Sequence, residues 1–281
     1  VTTSSVLKGS GLSSSAAFEV LVATILSHLY NEGRISAMTA AEVSQFAENT
    51  FFGKPCGLMD QTTCAYGGFV TIDFKDMKNP TVRKVGFDFA SCGYALVIVD
   101  TGGNHADLTD EYASVAGDMR KVAQVLGGRV LRDIDRGSLM KNIKLVREAA
   151  GDRAVLRAIH FFDDDERVER EIAALEGGDF GRFLSLVRES GESSWMLLQN
   201  CYSTRTPEEQ GIPLALTLSA KLLDGRGGFR VHGGGFAGTI QAFVPADGLS
   251  TYLKTVQGVF GESSCHVLMI RSLGAVQVSF L

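Results

Sequence analysis

"GSGLSSSAAFEVLVATILSHLY", residues 9–30, sets two glycines and four serines (Gly9–Ser15) directly against an apolar run. From Ala16 to Tyr30 the side chains Phe18, Leu21, Val22, Ile25, Leu26 and Leu29 recur at helical spacing, and Gly33 offers a stop. The reading is an amphipathic helix entered through a loose polar collar. The first N–H groups of any helix lack intrahelical acceptors, and the aligned peptide dipoles make that end electropositive. Glycines let backbone approach a ligand and hydroxyls add donors, so the collar reads as an anion site, above all for phosphate. One capping serine would serve a helix that binds nothing.

The usual phosphate loops do not fit. No Lys-Ser or Lys-Thr follows the last glycine, as a Walker A loop requires. The spacing G-x-G-x-x-G occurs instead at Gly233, Gly235 and Gly238, but it leads into the strand-like "TIQAFVP" and not into a helix. "HGGG" (232–235) mimics a lipase oxyanion loop, yet the chain has no G-x-S-x-G turn to accompany it.

Working outward, a second helix is expected from Thr39, which pairs with Glu42 as a capping box and puts Val43, Phe46 and Ala47 on one face. "KPCGLMDQTTCAYGG" (54–68) reads as a short third helix closed by Gly67-Gly68. Strands follow at 69–74, 81–87 and 94–100. A helical stripe returns from Asp107 to Leu126, and helices continue to about Asp224, broken at 177–178 and 203–213. "DDDERVERE" (163–171) reads as a helix start with acids in its first turn and a solvated face. "GGFRVHGGGFAGTIQAFVP" is strand, glycine turn, strand, and "CHVLMI" (265–270) is a last strand. The expectation is an α+β chain divided near residue 90.

Composition narrows the function. With 281 residues, a formal net charge of −5 and no basic run, nucleic acid and anionic membrane are not expected partners. Five scattered cysteines without C-x-x-C spacing argue against a zinc site or a disulfide framework. No apolar run reaches the ~20 residues that span a bilayer, and a cytoplasmic location is expected.

Three motifs carry a family resemblance. "GSGLSSSAAFEV" resembles the second signature of the GHMP kinase superfamily. "GFRVHGGGFAGTIQAFV" (228–244) resembles its third, and "AENTFFGKPCGLMDQ" (47–61) is similar to a segment particular to the galactokinases of that superfamily. All three occur in the family's order, and "DEYASV" (110–115) stands where galactokinases carry a sugar-contacting tyrosine. The resemblance implies a two-domain GHMP kinase fold. Residues 1–90 would be the remainder of a truncated N-terminal α/β domain that binds ATP phosphates. Residues 91–281 would be a ferredoxin-like α+β C-terminal domain. It implies transfer of the γ-phosphoryl group of ATP to the C1 hydroxyl of galactose or a related hexose, with Mg²⁺.

Residue by residue, the resemblance assigns phosphate contacts to Gly9, Ser10, Gly11, Leu12, Ser13, Ser14 and Ser15, and the catalytic carboxylate to Asp60. It assigns the metal to Ser15 and Glu48, and sugar contacts to Gly57, Asp60, Tyr112, Gly234 and Gly235. The residues alone leave other readings open. Asp60 also suits a plain helix N-terminus, Tyr112 fits the core stripe of its helix, and residues 233–235 suit a tight turn. Glu48 lies off the apolar face of its helix and is expected in solvent. Leu7, His232 and Ala237 depart from the family's usual residues. The family's first signature, with its arginine, has no counterpart here. The chain therefore resembles the C-terminal two-thirds of a galactokinase, and little activity is expected of it alone. A non-catalytic sugar or nucleotide sensor, or a kinase for another hexose, is the alternative.

Overall fold

The structure, a computed structural model, describes residues 3–4, 6, 13–53, 56–103, 108–236 and 238–278. The chain divides into two compact units, residues 1–89 with 269–281, and residues 90–268.

The first unit holds helices α1 (Ser14–Tyr30), α2 (Ala37–Thr50) and α3 (Met59–Tyr66), then an antiparallel hairpin of β1 (Phe69–Asp73) and β2 (Thr81–Val85). Helix α1 ends where Asn31 and Gly33, the latter at φ 70°, both donate their N–H to Ser27 O. Helix α2 is capped by Ser36, whose Oγ accepts the Thr39 N–H at 3.0 Å, so the expected Thr39–Glu42 box is replaced by a cap one turn earlier. The three helices meet through small side chains: Val20, Ala41 and Ala65 join Leu58 in one core. Small residues let helix backbones approach, and this decides which faces turn inward. The bulky stripes expected to be the core sides are exposed: Phe18 at 57%, Leu29 at 67%, Val43 at 53% and Phe46 at 59%. Periodicity identified two-faced helices but assigned the buried face wrongly.

Past α3 the chain turns at Gly67 (φ 66°) and Gly68, and the tail returns to this turn. Gly68 N–H donates to Arg271 O at 2.7 Å. A Cβ on Gly67 would lie 2.3 Å from Gly274 N, and one on Gly274 would lie 1.9 Å from Ala65 O. Only glycine at both positions permits this backbone contact. It groups the tail, which sequence reasoning counted with residues 91–281, with the first unit.

The second unit runs from β3 (Tyr94–Asp100) through helices α4 (Thr109–Val125), α5 (Arg136–Lys141), α6 (Ile143–Ala150), α7 (Asp152–Glu176), α8 (Phe180–Ser193) and α9 (Gly211–Leu223). It ends with β4 (Gly228–Val231), β5 (Thr239–Pro245), α10 (Leu249–Phe260) and β6 (Cys265–Leu268). The strands form one antiparallel sheet in the order β4-β5-β3-β6, with Val97 opposite both Ala242 and Val267. A β-α-β-β-α-β chain whose last strand pairs with its first is a ferredoxin-like sheet, here with extra helices after β3. Its core joins Val97, Val99, Ile240 and Val244 to Ile212 and Leu216 of α9 and Tyr252 and Val256 of α10.

A second core lies among α4, α6 and α7 around Val122, Val146 and Ala158. Beside it Arg157, 1% exposed, donates to Asp118 Oδ2 (2.9 Å), Ser114 Oγ (3.0 Å) and Leu198 O (3.1 Å). The acidic run 163–171 does not start a helix; it lies within α7, which starts at Asp152. Nor is it simply solvated, since Arg167 is 7% exposed and Ser190 of α8 donates to Asp164 Oδ1 at 2.7 Å. Among the described residues no helix is long and apolar enough to cross a membrane.

Candidate active site

In the first unit the N-terminus of α1 gathers two carboxylates from elsewhere in the chain. Ser13, the residue before α1, adopts a left-handed conformation (φ 53°, ψ 46°) that leaves its side chain outside the helix. Its Oγ donates to Asp60 Oδ2 at 2.5 Å. Asp60 stands in the first turn of α3 and is half-buried. Two helix N-termini thus lie beside one carboxylate. One turn into α1, Ser15 Oγ donates to Glu48 Oε1 at 2.8 Å.

Glu48 is not in solvent as expected: it is 3% exposed, because α2 turns its small-residue face inward and carries Glu48 with it. Its other oxygen, Oε2, accepts from Gln61 Nε2 at 2.8 Å and from the Cys56 thiol at 3.2 Å. Cys56 is itself held by its backbone, with its N–H on Asn49 Oδ1 (2.8 Å) and its carbonyl receiving Gln45 Nε2 (3.0 Å). The segment leading into α3 is therefore tied to α2, and this registers Asp60 against Glu48.

Ser13, Ser15, Glu48 and Asp60 are brought together; Gly9, Ser10, Gly11 and Leu12 lie outside the described residues, as does Leu7. Gly57 is exposed, and a Cβ there would meet nothing within 4 Å, so its surroundings do not require glycine. A cavity of about 580 Å³ adjoins Ser14 and is lined also by Phe18, Leu21, Cys64, Gly68 and Arg271.

Could this cluster hold Mg²⁺? No group of three or more His, Cys, Asp or Glu suited to a metal occurs among the described residues. Mg²⁺, however, takes most of its ligands from water and substrate phosphates and needs one or two protein oxygens. The Ser15 hydroxyl and Glu48 carboxylate are such oxygens, so the donor set fits.

The remaining candidates form a separate cluster in the second unit. Tyr112 Oη donates to Gly235 O at 3.0 Å, and its ring meets Phe236 edge-on at 5.6 Å between centroids. A Cβ on Gly234 would lie 2.5 Å from Tyr112 Cε1, and one on Gly235 would lie 2.0 Å from Asn200 O. Burial pushes the Tyr112 phenol up, which keeps it a neutral donor. Asn200, which sequence reasoning passed over, closes this loop: its carbonyl accepts Phe236 N–H at 2.5 Å and its Nδ2 donates to Gly234 O at 3.1 Å. The loop joins β4 to β5, so the G-x-G-x-x-G spacing precedes a strand.

The description "GHMP kinases N terminal domain" matches residues 1–68. Galactokinase from Streptomyces coelicolor is 35% identical over 263 residues, covering 92% of this chain and 64% of that protein. Galactokinase from Mycobacterium tuberculosis is 32% identical over 258 residues, covering 91% and 66%. The chain thus spans about two-thirds or slightly less of these relatives' length. Among solved structures, Lactococcus lactis galactokinase in complex with galactose superposes with a TM-score of 0.71 at 24% identity, covering 96% of this chain and 68% of that one. A mevalonate kinase superposes at 0.60 with 16% identity, covering 97% and 68%. The chain belongs to the GHMP kinase superfamily. Within that superfamily its relatives are galactokinases.

Proposed function

We propose that this chain carries the phosphoryl-transfer centre of a galactokinase-type sugar kinase, which moves the γ-phosphoryl group of ATP to the C1 hydroxyl of galactose. The observation that carries the reading is the 2.5 Å hydrogen bond from Ser13 to Asp60 at the mouth of α1. It puts a carboxylate beside the helix end best suited to phosphate.

In this reading the amides and hydroxyls of Ser13–Ser15 and the glycines before them cradle the nucleotide's phosphates. Asp60 faces the attacking hydroxyl, takes its proton or balances the charge that develops on it, and loses the Ser13 bond or shares it as substrate enters. Ser15 and Glu48 hold Mg²⁺, which supplies charge neutralisation on the phosphate oxygens. The family resemblance also assigns sugar contacts to Tyr112, Gly234, Gly235 and Gly57, glycine backbone being open to close approach. Little covalent chemistry is asked of the protein; alignment and neutralisation supply most of the acceleration. Cysteines scattered without a disulfide framework accord with a cytoplasmic setting.

The test is coupled ADP release by the full gene product with galactose and a panel of other hexoses. Turnover on galactose that falls at least a hundredfold in Asp60→Asn, with Mg-ATP binding retained by calorimetry, is the expected result. Nucleotide binding without turnover on any hexose would replace the kinase with a sensor.

A further inference from the structure

The two oxygens of Glu48 are not equivalent. Oε2 accepts from Gln61 Nε2 at 2.8 Å and from the Cys56 thiol at 3.2 Å, whereas Oε1 lies at the Ser15 hydroxyl, 2.8 Å away. A carboxylate oxygen has about two lone-pair directions, so two donors on Oε2 occupy the directions through which it would meet a cation. Gln61 is 0% exposed. Its Oε1 is buried and has no hydrogen-bond partner among the described residues. The amide is nevertheless held one way round, because the opposite orientation would set its oxygen against the carboxylate. Gln61 also approaches Cys56 Sγ at 3.4 Å, so the three side chains form one cluster.

We infer that Gln61, assisted by Cys56, is a positioning residue that makes Glu48 a one-oxygen ligand and thereby selects a small octahedral cation over calcium. The inference rests on the proposed assignment of Ser15 and Glu48 to the metal and adds what sets its identity. Magnesium and manganese accept single carboxylate oxygens in near-octahedral arrays, while calcium takes six to eight oxygens and readily engages a carboxylate through both. Outer partners of a metal ligand typically change affinity by roughly 10–100-fold when removed. Here the change should differ between cations, because freeing Oε2 offers calcium a second oxygen and offers manganese little.

The test uses Mn²⁺ as the probe, with a non-hydrolysable ATP analogue present. Free Mn²⁺ is followed by electron paramagnetic resonance while Ca²⁺ is added as competitor. In Gln61→Met the Ca²⁺ concentration that displaces half of the Mn²⁺ should fall about tenfold relative to the parent. Cys56→Ala, which removes the other donor to Oε2, should shift it in the same direction by less, and serves alone if the Gln61 variant does not fold. Equal displacement curves for parent and variants overturn the inference. If Mn²⁺ affinity drops in Glu48→Gln while those curves stay equal, the inference alone fails. If Glu48→Gln binds Mn²⁺ as the parent does, or the parent binds none, the metal assignment fails and the inference with it.

Discussion

A carboxylate as deeply placed as Glu48 survives burial because its donors come from three parts of the chain: Ser15 on α1, Cys56 before α3 and Gln61 on α3. Buried charge is tolerated where hydrogen bonds replace water. Glu48→Ala strands those donors, and unfolding in urea should show a loss of ~2–3 kcal/mol. The Ser13–Asp60 bond is of another kind, since it lies half-exposed where substrate would enter. Ser13→Ala should cost little in urea yet lower kcat for ADP release by about tenfold, the scale of one charged hydrogen bond of ~1.5 kcal/mol. A large stability loss with unchanged kcat would remove Ser13 from the site. None of the partners of Glu48 lies on its own helix, so the helix's periodicity does not reveal them; the "CGLMDQ" segment carries two of them, Cys56 and Gln61.

At the scale of elements, α7 carries a device of its own. Burial pushes the Glu171 carboxyl up from 4.5 to about 7, with Asp164 and Glu189 adding to the rise and Arg230 and Arg167 opposing it. A carboxyl whose folded value is raised stabilises the fold most when protonated, below about pH 4.5, and that contribution is lost as pH rises to about 7. Glu171→Gln should therefore match the parent near pH 4.5 and exceed it at pH 8, by up to ~3 kcal/mol in urea unfolding. Equal stabilities at pH 8 would show that water reaches the group.

The strands were legible in sequence because β-branched and aromatic residues cluster between turn residues, as in "YALVIVD" (94–100). The inward faces of α1 and α2 were not, because a 3.6-residue period shows that a helix has two faces and leaves open which one meets small partners. The start of α7 was missed because its first turn, "DRAV", carries weaker signals than the acidic run inside it.

At the scale of the whole molecule, the residues alone gave a mixed α+β chain and the family resemblance implied the ferredoxin-like connectivity, whereas the return of the tail had no sequence signal beyond isolated glycines. The Gly274–Ala65 contact supplies a direct test: Gly274→Ala should destabilise the first unit by ~1–3 kcal/mol, read by hydrogen exchange of α3 amides. Unchanged protection there would mean that the tail yields without disturbing the helix. The exposed stripe of α1 and α2 makes another. Phe18, Leu26, Leu29 and Phe46 each expose half or more of their surface, and apolar area of that kind drives association. Sedimentation should show concentration-dependent self-association of this chain that Leu29→Glu weakens.

The first unit is discontinuous, its opening helices waiting for residues from the far end. A ribosome delivers those residues only after the whole of the second unit, at roughly 5–20 per second. The second unit, contiguous from 90 to 268, has all its strands before then. The Gly67–Gly68 turn therefore stays bare until residues 269–278 have emerged, so a stop codon upstream of residue 269 would release a polypeptide with its first unit unfinished.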